Sequence, residues 1–285
     1  MHIIDSIYNP NPAPIITSNS LYQTGLVKSI LELERRSKDW YLDGKNRIAV
    51  FDLDNTLLVG DIGDAVLARL LLDGHSLPLT WTRYKEMCIE NPMEAYIQSV
   101  RVLNGFTIDQ IISITKRIIR LPKEFLLCED QAIRIPKPNP IMSELVQLLR
   151  EMHYTIFVIS ASNDISAKVA ASIFFDIPIH NVAGIKPFLN EKMLTDSIVD
   201  PVPVGIGKVN QYRNLSGDRI PMIVATDSML DFPLLEMCDS EGIAIIVGDN
   251  EELITKVKKE LPLTIGIHQV SVNTLLSFQQ QHRVA

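Results

Sequence analysis

The stretch FDLDNTLLVGD, residues 51–61, directly follows the apolar run RIAV and places three aspartates within eleven residues. Asp52 and Asp54 lie two residues apart, so in an extended chain both carboxylates point to the same side and Leu53 to the other. Aspartate is rare in strands, so the pair indicates a chemical role rather than a solvated surface turn. Paired carboxylates suit Mg²⁺, and one of them can also act as a nucleophile that forms an acyl-phosphate.

The composition is that of an ordinary globular protein. The chain has 285 residues, of which 46% are hydrophobic and 21% charged, enough for one large domain or two unequal ones. Its net charge of −7 argues against non-specific binding to nucleic acid or to an anionic membrane. The three cysteines predict neither a disulfide framework nor a zinc site. No signal peptide or membrane-spanning run is recognisable, so we expect a cytoplasmic protein without nucleic-acid or membrane partners.

Apolar runs that end in polar residues alternate with helical patterns along the chain. The four clearest runs are RIAVFD (47–52), TIFVIS (155–160), PMIVAT (221–226) and GIAIIVG (242–248). HNVAGI (180–185) is a weaker fifth candidate. Runs that are apolar throughout are typical of strands covered on both faces, so the sequence predicts an α/β fold with a doubly wound parallel sheet. Ligands bind such sheets at the carboxyl ends of the strands.

The order of these patterns predicts four parts. The α/β core comprises residues 46–61 and 135–260. Residues 62–134 carry helical patterns and no convincing buried strand, so we predict a helical cap inserted after the first strand. Residues 1–45 form an N-terminal extension with one helix, and residues 261–285 form a C-terminal appendage.

Further polar groups follow the later strands. Ser160, Ser162 and Asn163 end the second strand ahead of a helix, where they form either an anion site or an ordinary helix cap. Lys208 follows two glycines at the start of a helix and either reaches a phosphate or lies in solvent. Asp227 and Asp231 lie one helical turn apart after a later strand, as metal ligands or as charges that favour a helix start.

Taken in order, these features resemble the haloacid dehalogenase superfamily of phosphohydrolases. FDLDNTLL matches that family's first motif, FVISAS its second, Lys208 its third and TDSMLD its fourth. The resemblance covers about residues 47–248. It implies a Rossmann-like α/β core. Three features are similar to the phosphoserine phosphatase-like and phosphorylcholine phosphatase-like branch of the family. They are the helical insertion that follows the first motif, the sequence VISAS and the sequence PVGIGKV.

The resemblance implies a role for each matching residue. Asp52 would attack phosphorus, and Asp54 would protonate the leaving oxygen and then deprotonate water. Mg²⁺ would be held by Asp52, by Asp227 and by the backbone carbonyl of Asp54. Asp231 would lie next to these ligands without binding the ion directly. The residues that would hold the phosphoryl oxygens are Asn55, Thr56, Ser160, Ala161 and Lys208.

Two of the departures from the family pattern concern the site directly. Asp61 occupies the place of a glutamate that faces the substrate's amino group in phosphoserine phosphatases, which implies a cationic or hydroxyl-bearing leaving group. The alternative is that Asp61 only caps the first cap helix or is solvated. Thr226 stands where the family usually has glycine, so the local turn or the metal site is expected to differ.

Four aromatic residues are candidates for a pocket that binds a choline-like cation by cation–π contacts: Trp40, Trp81, Tyr84 and Tyr96. Tyr84 and Met87 share helical spacing with Trp81, however, so packing within the cap is the competing interpretation. The predicted function is a Mg²⁺-dependent phosphomonoesterase that acts on a small phosphorylated metabolite through an aspartyl-phosphate. The alternatives are a phosphotransferase of the same fold and a catalytically silent binding or regulatory module.

Overall fold

The computed structural model describes Leu21, residues 24–36, residues 47–261, Leu263 and Gly266–Val270. Its strands are β1 (Ile48–Phe51), β2 (Leu58–Val59), β3 (Phe125–Cys128), β4 (Gln131–Arg134), β5 (Lys137–Pro138), β6 (Thr155–Asn163), β7 (Val182–Asn190), β8 (Met193–Val199), β9 (Ile223–Thr226), β10 (Ile243–Val247) and β11 (Gly266–Val270). Its α-helices are α1 (Leu26–Arg36), α2 (Ile62–Leu72), α3 (Trp81–Glu90), α4 (Pro92–Arg101), α5 (Ile108–Ile119), α6 (Pro140–Glu151), α7 (Asp164–Phe175), α8 (Ile206–Ser216), α9 (Phe232–Leu235) and α10 (Glu251–Glu260). None of these helices combines the length and the apolar composition needed to cross a membrane.

A seven-stranded sheet forms the centre of the fold, in the order β11-β10-β9-β1-β6-β7-β8. Every neighbouring pair is parallel except β7 and β8, which are antiparallel. All five runs that predict strands contribute to this sheet, so the predicted doubly wound α/β fold is confirmed. The antiparallel strand β8 at one edge is not among the predicted strands.

Helices cover both faces of the sheet, which explains why its central strands are apolar throughout. Every residue of β1, β9 and β10 is buried. Along β1 the side chains alternate between two hydrophobic clusters: Ala49 and Phe51 belong to one, and Ile48 and Val50 belong to the other. The sheet therefore has no solvated face at these strands, and polar residues there can occur only at strand ends.

The segment inserted between β1 and β6 enters and leaves the core at one place. Strand β2 pairs with β5, with Leu58 opposite Pro138 and Val59 opposite Lys137. Between them come α2 to α5 and a hairpin of β3 and β4. We call residues 62–134 the inserted segment. Its paired base fixes where α2 begins relative to the end of β1.

The hairpin differs from the predicted all-helical cap. Its two-residue turn is formed by Glu129 and Asp130, both with positive φ (46° and 62°). Turns of this kind usually carry Asn-Gly or Asp-Gly, so the Glu-Asp pair gives no hairpin signal in the sequence. The burial of β3 alternates between exposed and buried residues over only four positions, which is too short for a reliable pattern.

The chain ends are partly described. Helix α1 lies within the predicted extension, and its residues Leu26, Ile30 and Leu33 belong to the main hydrophobic cluster. At the other end, β11 pairs with β10 and extends the sheet to Val270, so the core continues beyond the boundary predicted at residue 261. The remainder of both termini, including Trp40, lies outside the described residues.

Polar contacts also attach α1 to the core. Tyr154 Oη, at the start of β6, donates to Glu34 Oε1 at 2.8 Å, and Arg47 Nη2 donates to Glu34 Oε2 at 2.7 Å. Ile30 is fully buried, whereas its neighbour Leu31 is 58% exposed. Helix α1 is therefore part of the folded core rather than a loosely attached element.

Two neighbouring substitutions test this packing. We expect Ile30→Ala to lower the free energy of unfolding by about 2–5 kcal/mol, because it opens a cavity in the core. Leu31→Ala, which removes a similar side chain from the exposed face, should change it by less than about 0.5 kcal/mol. Urea unfolding of both variants measures the difference, and equal effects would contradict the packing of α1.

Candidate active site

The polar ends of three adjacent strands meet at the carboxyl edge of the sheet. Strand β1 lies between β9 and β6, with Phe51 opposite Ala225 on one side and Val158 on the other. Asp52 follows β1, Asp227 follows β9, and the last residues of β6 carry Ser160 and Ser162. Residues that are more than 100 positions apart in the chain are thus brought into one site.

Lys208 lies in a buried ion cluster with two of the aspartates. Its Nζ donates to Asp52 Oδ1 at 2.5 Å and to Asp231 Oδ2 at 2.6 Å. The three residues are each no more than 4% exposed. The backbone N–H of Asp52 donates to the carbonyl oxygen of Ala225 at 3.0 Å, which fixes the backbone from which the Asp52 side chain extends. Lys208 is therefore a site residue and not a solvated lysine.

Gly207 allows the helix that carries Lys208 to come this close. A Cβ at position 207 would lie 1.8 Å from the carbonyl oxygen of Val202, so no side chain fits there. Lys208 lies in the first turn of α8, and its ammonium group points into the carboxylate cluster. The glycine before the lysine is thus a packing requirement of the site.

Burial and charge oppose each other in this cluster. Burial raises the pKa of Asp52 well above its usual range, and the positive charge of Lys208 opposes that rise. Burial alone would lower the pKa of Lys208, but the charges of Asp231 and Asp52 outweigh it, so the pKa of the ammonium group is raised. The lysine therefore stays protonated and neutralises part of the negative charge of the site.

Asp54 accepts hydrogen bonds from both the core and the inserted segment. Ser160 Oγ and Ser162 Oγ donate to its Oδ2 at 2.9 and 2.7 Å. The backbone N–H of Ile62 donates to its Oδ1 at 2.7 Å. Burial raises the pKa of Asp54, and these three hydrogen bonds oppose that rise without cancelling it. A carboxyl group with a raised pKa can hold a proton and release it, as an acid–base residue must.

The wide turn after β1 separates the predicted phosphate ligands. Asn55, at φ 58°, is exposed and faces the site cavity together with Ala161 and Lys208. Thr56 and Ser160 are fully buried behind the cavity wall. Thr56 Oγ1 donates to Asp227 Oδ1 at 3.3 Å, so in this structure these two hydroxyl groups contact carboxylates of the site.

Three carboxylates lie close enough together to hold one metal ion. Asp52, Asp227 and Asp231 each offer an oxygen atom, and these atoms lie within 4.8 Å of one another. Burial, followed by the negative charge of Asp231, raises the pKa of Asp227 to about 6. Three clustered carboxylate oxygens that are short of positive charge fit a hard divalent cation such as Mg²⁺.

Thr226 fits its position without a special backbone conformation. It is the last residue of β9, in the extended conformation of a strand, and is fully buried. Its Oγ1 donates to Asp231 Oδ2 at 2.9 Å and accepts from the backbone N–H of Ser228 at 3.3 Å. The threonine therefore orients Asp231 through Oδ2, the same oxygen atom that accepts from Lys208.

Asp61 lies at the start of α2, on the wall of the site cavity. It caps α2 by accepting from the backbone N–H of Asp64 at 2.8 Å, and it also lines the site cavity. Burial, then the negative charges of Asp54 and Asp64, raise the pKa of Asp61 well above its usual range. Among the described residues, no lysine or arginine forms an ion pair with Asp61.

The cavity between the core and the inserted segment has a volume of about 100 Å³. Tyr84, Tyr96 and Ser99 of α3 and α4 line it opposite the aspartates. Tyr84 Oη donates to Asp64 Oδ1 at 2.7 Å, which fixes that ring. Trp81 is buried within the inserted segment and packs on Tyr84, with ring centroids 5.5 Å apart. The aromatic residues are thus divided between the cavity wall and the interior of the inserted segment.

Three serines line the cavity without a single role assigned from the sequence: Ser99, Ser162 and Ser228. For Ser162 the sequence predicts only an anion ligand or a helix cap, but Asn163 is the residue that caps α7, since its Oδ1 accepts from Ser166 N at 2.8 Å. The repetition of serine in VISAS is the available signal for Ser162. For Ser99 the sequence offers no signal, because its position depends on how α4 packs.

Comparison with known proteins identifies one matching family. Residues 49–236, well over half of the chain, match the family model described as haloacid dehalogenase-like hydrolase. No curated protein matches the chain.

Several solved structures share the fold at low sequence identity. A protein of unknown function from Bordetella pertussis Tohama I is 16% identical, with a TM-score of 0.62 over 80% of this chain and 99% of that one. A phosphoserine phosphatase in a phospho-aspartyl intermediate analogue form is 15% identical, with a TM-score of 0.53 over 82% and 99%. A HAD family hydrolase from Salmonella enterica serovar Typhi is 16% identical, with a TM-score of 0.54 over 80% and 68%.

The raised pKa of Asp227 predicts how the metal-free protein responds to pH. A carboxyl group whose pKa is higher in the folded state contributes stability below its unfolded pKa, and that stability is lost as pH rises through the folded pKa. We therefore expect the free energy of unfolding in EDTA to fall between about pH 4 and pH 6–7, with a contribution from Asp227 of about 1–3 kcal/mol. Asp227→Asn should flatten this fall, as measured by urea unfolding at several pH values.

The exposed Asp196, on β8, provides the control. Asp196→Asn should retain the pH dependence of the wild-type protein. An identical pH dependence in both variants would mean that Asp227 does not contribute.

Proposed function

The chain belongs to the haloacid dehalogenase-like hydrolase family, and on that basis we propose that it is a Mg²⁺-dependent phosphomonoesterase. The substrate would be a small phosphorylated metabolite, and the reaction would pass through an aspartyl-phosphate. The observation that carries this proposal is the position of Asp52: its Oδ1 accepts from Lys208, and it lines a small cavity together with Asp54. The residues that we propose as nucleophile, proton donor and charge-neutralising group thus line one cavity, which supports the proposal.

In the first step, a carboxylate oxygen of Asp52 attacks the phosphorus atom of the substrate. The bond between phosphorus and the ester oxygen breaks, and Asp54 gives its proton to that oxygen as the alcohol leaves. The raised pKa of Asp54 supports this role, because a buried carboxyl group retains the proton that the leaving group needs. Phosphorus is then bonded to Asp52 as an acyl-phosphate.

In the second step, water attacks the phosphorus of the aspartyl-phosphate. Asp54, now a carboxylate, takes a proton from the water as the new bond forms. The bond between phosphorus and Asp52 breaks, so inorganic phosphate leaves and the Asp52 carboxylate is restored. The hydrogen bonds that Asp54 accepts from Ser160, Ser162 and Ile62 support its ionised form during this step.

The remaining groups neutralise the charge of the phosphoryl group. We infer that Asp52, Asp227 and the backbone carbonyl of Asp54 hold Mg²⁺, with Asp231 adjacent. When bound, the ion supplies positive charge that stabilises the phosphoryl oxygens in the transition state. Lys208, Asn55 and Ala161 line the cavity. Lys208, Asn55 and the backbone N–H of Ala161 would contact the remaining phosphoryl oxygens, whereas the buried Ser160 and Thr56 would hold the carboxylates in place.

The cavity supports a substrate with a small, positively charged or hydroxyl-bearing leaving group, such as a phosphoserine-like or phosphocholine-like compound. Asp61 lines the cavity, and the only described lysine or arginine on its wall is Lys208, which is bonded to Asp52 and Asp231. Tyr84 and Tyr96 also line the cavity, so a cation beside Asp61 would lie near aromatic side chains, which favours ammonium groups. A volume of about 100 Å³ leaves little space for a larger substrate.

Replacement of the nucleophile tests the mechanism. We expect Asp52→Asn to lower Mg²⁺-dependent hydrolysis of p-nitrophenyl phosphate by about 10³-fold or more, because the amide cannot form an acyl-phosphate. Circular dichroism and thermal unfolding should still indicate a folded protein. Asp218→Asn, on a side chain that is 82% exposed, is the matched control and should retain full activity.

The same assay separates the alternatives. A phosphotransferase would transfer phosphate to an added alcohol in preference to water, which product analysis detects. A silent binding module would show no Mg²⁺-dependent turnover with any phosphomonoester. Undiminished turnover by Asp52→Asn would rule out the proposed nucleophile.

A substitution at Asp61 tests the proposed preference for a cationic leaving group. Asp61→Asn keeps a good helix cap but removes the negative charge, so kcat/KM for phosphoserine or phosphocholine should fall about 10–100-fold. For ethyl phosphate, whose leaving group carries neither a charge nor a second hydroxyl group, we expect a change of less than about threefold. Steady-state kinetics with both substrates measure the ratio, and equal losses would contradict a cation-binding role.

A further inference from the structure

Ser162 connects the acid–base residue of the core to the inserted segment. Its Oγ lies 2.7 Å from Asp54 Oδ2 and 3.4 Å from Asp61 Oδ1, and it accepts from the backbone N–H of Gly63 at 3.0 Å. A hydroxyl group has one proton, and the shorter distance assigns it to Asp54. Ser162 is 5% exposed, so these protein contacts take the place of contacts with bulk water.

The first turn of α2 uses its free N–H groups at this junction. The N–H groups of the first helical residues have no partner within their own helix. Here that of Ile62 donates to Asp54 Oδ1 at 2.7 Å, that of Gly63 to Ser162, and that of Asp64 to Asp61. The start of the inserted segment is thereby bonded to the proton-transfer residue directly and also through Ser162.

Gly63 is the residue that makes room for this contact. A Cβ at position 63 would lie 2.6 Å from Ser162 Oγ, far inside contact distance. The next nearest atoms are Asp61 Oδ1 at 3.2 Å and Ser162 Cβ at 3.4 Å, which a small shift accommodates. The absence of a side chain at Gly63 is therefore matched to the hydroxyl group of Ser162.

We propose that Ser162 is a positioning residue whose hydroxyl group fixes the Asp54 carboxylate against the first turn of α2. Proton transfer by Asp54 is thereby coupled to the docking of the inserted segment on the core. The kinetic consequences of this proposal rest on the proposed function. The contact between Ser162 and Gly63 does not depend on any activity.

A double-mutant cycle tests the contact by two routes. Ser162→Ala removes the hydroxyl group, Gly63→Ala displaces it, and the double variant does both. Because alanine favours a helix over glycine, a loss caused by Gly63→Ala cannot come from helix propensity. In the double variant the added methyl group meets no hydroxyl. Gly63→Ala should therefore lower the thermal unfolding midpoint of the wild-type protein but should not lower that of the Ser162→Ala variant.

The kinetic effects distinguish positioning from simple destabilisation. Ser162→Ala should lower kcat for an alkyl phosphate such as phosphoserine about 10–100-fold and change KM less than about threefold. The loss in kcat/KM should be smaller for p-nitrophenyl phosphate, whose leaving group needs little protonation. Gly63→Ala should behave like Ser162→Ala, and the double variant should be no slower than Ser162→Ala alone.

Ser166 offers a matched control. Its buried Oγ lies 2.8 Å from Thr115 Oγ1 of α5, so it too joins the inserted segment to the core, but its hydroxyl group has no contact with Asp54. Ser166→Ala should lower the unfolding midpoint and leave kcat within about twofold of the wild-type value.

Two results would overturn the positioning role. One is a Gly63→Ala effect of the same size with and without the Ser162 hydroxyl group, in kinetics or in the unfolding midpoint. The other is an equal loss by Ser162→Ala with alkyl and aryl phosphates. Absence of turnover in the wild-type protein would instead contradict the proposed function, and the unfolding midpoints would still decide the contact.

Discussion

The buried ammonium group of Lys208 is the interaction on which the site depends. A strand that ends in the sheet interior cannot carry an unpaired carboxylate, because burial of an uncompensated charge is very unfavourable. Lys208 contacts Asp52 and Asp231 at once, at 2.5 and 2.6 Å, and so allows both to remain at the carboxyl edge of the sheet. Its helix can approach because Gly207 has no side chain. One cation thereby positions the proposed nucleophile and one side of the proposed metal site.

Lys208 does not balance the charge of the site by itself. Asp54, Asp61 and Asp227 are also at the cavity, and their pKa values are raised mainly by burial. Such a site favours further positive charge, which a divalent cation and a cationic leaving group would supply, and it keeps a proton available on a carboxyl group. These are the requirements of phosphoryl transfer, in which catalysis consists largely of positioning and charge neutralisation. The electrostatics and the proposed reaction therefore support each other.

The sequence predicts the parts of this arrangement that depend on local pattern. Continuous apolar runs identify the sheet strands, and the spacing of Asp52 and Asp54 places two carboxylates at the end of β1. Other features depend on contacts between distant segments. Strand β11 and the Glu129–Asp130 hairpin lack the usual strand and turn signals. The bond between Gly63 and Ser162 joins residues 99 positions apart, and only the packing of α2 on β6 reveals why residue 63 is glycine.

The most direct test of the account is to locate the phosphoryl group during turnover. Brief reaction of the wild-type protein with a phosphomonoester and Mg²⁺, followed by borohydride reduction, converts an acyl-phosphorylated aspartate to homoserine, which peptide mass spectrometry can locate. The account predicts homoserine at position 52, dependent on both substrate and Mg²⁺. Substrate turnover with modification at another carboxylate, or with no modified carboxylate, would contradict it.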